Sequence, residues 1–155
     1  MNYDNYVAKV EKRFTGNRIL TLDSLEVHHC YDDFGDGVSG KLKEYKLRYL
    51  TYIAHQNHIT KESIISYSTA CHRHTVDEYK SAMKSAACFS VLASEKVDQA
   101  AVDYVMTPHK MRENVFEMPV ILDLATNKIH FMQKTPIWGF AMWEGFREYI
   151  RENLL

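Results

Sequence analysis

Cysteine, proline and glycine are all scarce in this 155-residue chain, at three, three and six residues. The cysteines, Cys30, Cys71 and Cys88, are odd in number and lack CxxC spacing, so a disulfide framework is not expected and a reducing compartment fits. No stretch approaches the roughly 20 apolar residues that a membrane helix needs. The opening MNYDNYVAKVEKRF carries acids and no long apolar run, which disfavours secretion and membrane insertion and points to a cytoplasm. An excess of charge of one sign is also missing. Lys plus Arg is 19 against 20 for Asp plus Glu, a formal net charge of −1. No global field exists to draw in a polyanion, and any nucleic-acid contact needs a local patch.

What is there fits one globular unit. Charged residues are 25% and apolar residues 46%, outside the low-hydrophobicity, high-charge regime of disorder. A chain of this length buries a core without help from metals or disulfides. The expectation is a single domain over 1–155.

Tyr3, Tyr6, Val7, Val10 and Phe14 recur at helical spacing until Gly16-Asn17 breaks the run. Arg18 to Cys30 reads as a strand or a tight hairpin turning at Asp23-Ser24, and the acidic, glycine-rich YDDFGDGVSG as a loop. Lys41 to Asn57, with Leu42, Tyr45, Tyr49 and Ile53 on one side, reads as an amphipathic helix. Thr60 is placed as the cap of a helix through Ile64, Tyr67 and Cys71, and the Ala- and Ser-rich Val76 to Val97 as a further helix. Met118 to Lys134 forms the clearest hairpin, and the run after Pro136 a closing helix with Phe140, Trp143, Phe146 and Ile150 at helical intervals. Strands at both ends of a helical middle make the expected fold class α+β.

The chain is rich in histidine, with eight, and four of them fall in two tight pairs, His28-His29 and Cys71-His72-Arg73-His74. A neutral imidazole offers a lone pair to a divalent ion, and a neighbouring ring can take a proton from water. On a continuous strand His28 and His29 point to opposite faces, so sharing a site requires the strand to end or bend there. On a continuous helix His72 and His74 diverge by about 200°, so at most one of them faces the site. The structural alternative for the first pair is a strand end with one ring in the core and the other in solvent. Cys71 and Cys88 read as small buried hydrophobes. The aromatic residues Trp138, Trp143, Phe140 and Phe146 read as core.

Glu26-Val27-His28-His29, followed by Tyr31 and Phe34-Gly35, resembles the opening of small HNH (ββα-metal) endonucleases, and Glu62 to Arg73 is similar to their closing segment. The resemblance makes 18–75 an HNH-like segment, with 76–155 as a helical and hairpin extension packed on it, and implies a ββα-metal-like centre with inserted and flanking helices. In it His28 and His72 are metal ligands, His29 is the general base, and the cofactor is a divalent metal of the Mg²⁺, Mn²⁺ or Zn²⁺ type. The implied activity is metal-dependent phosphodiester hydrolysis, the metal polarising the phosphate and the base deprotonating water. Arg73 with Lys43 and Lys46, from the basic cluster that also holds Lys41 and Arg48, are the candidate substrate-binding residues for nucleic acid. Departures are evident. Ser63 stands where the family has Asn or Asp, Ser68 replaces the first knuckle cysteine, and a helix-sized insertion separates the halves. The alternative is a non-enzymatic binding or regulatory protein, a degenerate HNH fold or an unrelated one, recognising a protein or a small ligand. A third class is a protein that stores or senses a metal through the same histidines. His58-Ile59-Thr60 is an HxT tripeptide without a second copy, so a two-histidine phosphoesterase is unsupported.

Overall fold

The computed structural model describes residues 1–32, 47–79, 85–134 and 140–155. Helix α1 (Tyr3–Glu11) is opened by Asn2, whose side chain accepts from the Asn5 amide and so satisfies an orphan donor of the first turn. Strands β1 (Gly16–Leu22) and β2 (Leu25–Tyr31) pair antiparallel from Gly16 opposite Tyr31 to Leu22 opposite Leu25. The two residues between them, Asp23 and Ser24, both have positive φ, at 53° and 61°. This is the conformation a two-residue hairpin needs to match the strand twist.

Strand β3 (Leu47–His55) pairs antiparallel with β2, and helix α2 (Lys61–Tyr79) follows it. The helix starts on a reciprocal cap. The Ser63 amide donates to Thr60 Oγ1 at 3.1 Å, and the Thr60 amide donates to Ser63 Oγ at 2.8 Å, which satisfies two backbone donors at once. Then come β4 (Ser85–Ser94), α3 (Gln99–Met106), the short β5 (Met111–Arg112), β6 (Val115–Asp123), β7 (Lys128–His130) and α4 (Phe140–Asn153).

The seven strands make one mixed sheet in the order β1-β2-β3-β4-β6-β5, with β7 also on β6. Strands β3, β4 and β6 are mutually parallel. Parallel neighbours need crossovers, and right-handed crossovers taken in one direction across a sheet put their helices on the same face. Accordingly α2 and α3 share one apolar cluster, in which Ile64, Tyr67, Cys71, Ala101 and Val105 meet Leu50, Tyr52, Ala54 and Leu92. The other face carries α1 and α4, where Tyr6, Val7, Val10, Trp143, Phe146 and Ile150 meet Tyr49, Ile53, Phe89 and Val91. The Tyr6 hydroxyl donates to the Leu154 carbonyl at 2.6 Å and joins α1 to the end of α4.

The chain is therefore mixed α and β, as expected, but two expectations change. Leu47 to His55, inside the predicted helix 41–57, is strand β3, while residues 41–46 lie outside the described residues. Ser85 to Ser94, inside the predicted helix 76–97, is strand β4. Buried on both faces, it shows no polar alternation that would mark it as a strand. Both halves of the chain contribute strands to the one sheet. No helix among the described residues is long and apolar enough to cross a membrane.

The α4 face is held by stacked and edge-on rings. Phe146, fully buried, lies 5.0 Å from Phe116, 5.3 Å from Trp143 and 5.7 Å from Tyr49, centroid to centroid. Phe146→Ala is expected to lower unfolding free energy by about 3–5 kcal/mol, read as a lower urea midpoint with an unchanged slope.

Candidate functional site

Strand β2 continues in register through His28 and His29 to Tyr31. With no bend to rotate one of them, the two rings leave on opposite faces. His28 faces α1: its Nδ1 lies 2.9 Å from Glu11 Oε1, its Nε2 3.7 Å from Glu26 Oε1, and the Tyr3 ring is 6.4 Å away. His72 belongs to α2 on the other face. Its Nε2 donates to the Arg112 carbonyl in β5, at the far edge of the sheet, at 2.9 Å. His28 and His72 are thus not brought together around a common point, and the implied ligand pair is not assembled. Among the described residues no group of three His, Cys, Asp or Glu side chains could hold a metal ion. Lys43 and Lys46 lie outside the described residues.

His29, the expected general base, is fully buried. Its Nδ1 donates to the Thr51 carbonyl at 3.0 Å, which leaves the lone pair on Nε2, and the Tyr79 hydroxyl donates to that lone pair at 2.7 Å. The ring stacks on Tyr52 at 4.2 Å with 9° between planes, and His74 meets it edge-on at 5.6 Å. Burial pushes its pKa down to about 4, against a smaller opposing contribution from the Thr51 carbonyl. Both ring nitrogens are thus committed to protein partners inside the core. The general-base role is not met by this geometry.

The face of α2 beside His29 opens onto a cleft of about 380 Å³, lined by Leu22, Ala70, Arg73, His74, Asp77 and Glu78. All but Leu22 come from successive turns of α2, spaced three, four, seven and eight residues after Ala70, so they form one helical stripe. Leu22 is the last residue of β1. His74 stands between cleft and core. Its Nδ1 is 2.9 Å from the Tyr52 hydroxyl, itself 2.8 Å from Thr75 Oγ1, and its Nε2 is 3.3 Å from Glu78. Burial lowers the His74 pKa, with Glu78 opposing. Glu78 also pairs with Arg18, and the hydrogen bond from that guanidinium lowers its pKa. Arg73 and Asp77 are exposed.

The expected substrate-binding residue Arg73 therefore does line a cleft, and the second histidine of its motif at that cleft is His74 rather than the favoured His72. Leu22, Asp77 and Glu78 were missed. The signal that could have found the last two is the i,i+4 run Arg73/Asp77 and His74/Glu78 on a helix already expected there. Compared with protein families, curated proteins and solved structures, the chain matches none.

Because the folded-state pKa of His29 lies below its unfolded value of about 6.5, the unfolded chain binds more protons between the two. Its contribution is complete above pH 6.5 and is lost as pH falls towards 4, roughly 3 kcal/mol in all. His29→Phe keeps a stacked ring without a titrating site. Urea unfolding at pH 7 and pH 4.5 is expected to show a smaller acid loss in the variant than in the wild type, and equal losses would refute the assignment.

Proposed function

We propose that the protein is a binding or regulatory module that recognises a small polar ligand in the cleft between α2 and the end of β1. The observation that carries this reading is the pair Arg73 and Asp77. Both line the cleft, and neither makes a hydrogen bond or an ion pair with a described residue. Other charges nearby are answered: Glu78 by Arg18 and His74. A cleft of this size falls within the roughly 300–1,000 Å³ usual for small-molecule sites, where a few polar groups fix orientation over an apolar floor. Leu22 and Ala70 supply that floor. Three buried free thiols suit work in a reducing cytoplasm.

A metal-dependent phosphodiesterase acting on nucleic acid has less support, since its implied base is buried and its implied ligands lie on opposite faces of the sheet. Nicking of plasmid in Mg²⁺ or Mn²⁺ that disappears in both His28→Ala and His72→Ala would restore it.

The binding reading is tested by thermal-shift screening of small polar compounds against the wild type and Ala70→Trp, which fills the cleft. Compounds bound to the native state alone raise the melting temperature by mass action. The expected hits stabilise the wild type and lose their effect in the variant, whose own melt reports whether it folds. Hits that stabilise both proteins equally place the ligand elsewhere and sink the reading.

A further inference from the structure

We infer that the ligand of this cleft is a zwitterion, in its simplest form a free α-amino acid with an apolar side chain; the inference rests on the binding reading above. Arg73 and Asp77 lie four residues apart on one helix face, the spacing at which opposite charges ordinarily pair across a turn. Here they form no ion pair with each other, yet both line the same cleft. With Glu78 answered by Arg18 and His74, the charges left open to a ligand are one positive and one negative. A simple anion meets Arg73 but is repelled by Asp77, and a simple cation meets Asp77 but is repelled by Arg73. A molecule carrying both charges a few ångströms apart satisfies each. The guanidinium fork suits an α-carboxylate, the Asp77 carboxylate suits an α-ammonium, and Leu22 with Ala70 accepts an aliphatic side chain.

The test is calorimetric titration of the full chain with three probes: L-leucine, N-acetyl-L-leucine, which lacks the ammonium, and L-leucinamide, which lacks the carboxylate. Leucine is expected to bind about tenfold or more tightly than either analogue, the size of effect one charged hydrogen bond supplies. Arg73→Gln should reduce leucine to the level of leucinamide, and Asp77→Asn to the level of N-acetyl-leucine. Both positions are exposed, so these variants are expected to fold, and their melts check it. Equal binding of the three probes, no binding of leucine at millimolar concentration, or leucine binding unchanged in both variants overturns the inference. A screening hit that Ala70→Trp blocks but that carries a single charge overturns the zwitterion and leaves the binding module standing. Absence of any hit sensitive to Ala70→Trp overturns both.

Discussion

A β-strand sends successive side chains to opposite faces, and β2 obeys this without interruption from Leu25 to Tyr31. Because α1 and α4 cover one face of the sheet while α2 and α3 cover the other, the alternation assigns each of two adjacent histidines to a different layer. His28 meets α1 and His29 meets α2. Once that is so, no helix on one face can bring a second ligand to both rings, and any site built on β2 must use one or the other. On the His29 side the edge-on contact with His74 leads to the cleft that α2 lines.

Burying an imidazole is costly unless both ring nitrogens are satisfied. The fold satisfies those of His29 with a backbone carbonyl of the neighbouring strand and a phenol at the end of α2. The same ring is sandwiched into an aromatic group with Tyr52, Tyr31 and Tyr79. These contacts tie β2, β3 and α2 together at one point. They make His29 a structural element that holds α2 in place over β1 to β3, and thereby sets the position of the cleft that α2 lines.

Legibility in the sequence followed local constraint. The first hairpin was readable because Asp23-Ser24 is a polar turn pair, Asp being a residue that tolerates the left-handed backbone found there, and α2 because Thr60 caps it. Helices α1 and α4 carry a one-sided apolar stripe, as surface helices do. Strands β3 and β4 were hidden for the opposite reason. Lying in the middle of a sheet covered on both faces, they have no solvent side, and Ala-rich SAACFSVLAS or Tyr-spaced LRYLTYIAH then matches a helical period by chance. The site was half readable. Arg73, named through a motif resemblance, lines the candidate cleft, but which histidine of the motif faced it depended on the rotation of α2, which its packing against Leu50, Tyr52 and Ala54 determines.

The abundance of histidine, which invites a metal, has a plainer account in the pairings. His28, His55, His58 and His74 each face a carboxylate, Glu11, Glu95, Asp98 and Glu78. His29, His72 and His109 each reach a backbone carbonyl, of Thr51, Arg112 and Val105. An imidazole bonded in this way orders a loop or a strand edge at small energetic gain where it is exposed and at larger gain where it is buried. These seven rings are spread over both faces of the sheet, and among the described residues they form no group of three that could hold a metal ion. What converges instead is the stripe on α2, where a guanidinium and a carboxylate stand over an apolar floor without answering one another. Arg73 and Asp77 make no hydrogen bond or ion pair with a described residue, and this sets the stripe apart from the seven matched histidines and underlies the proposed recognition.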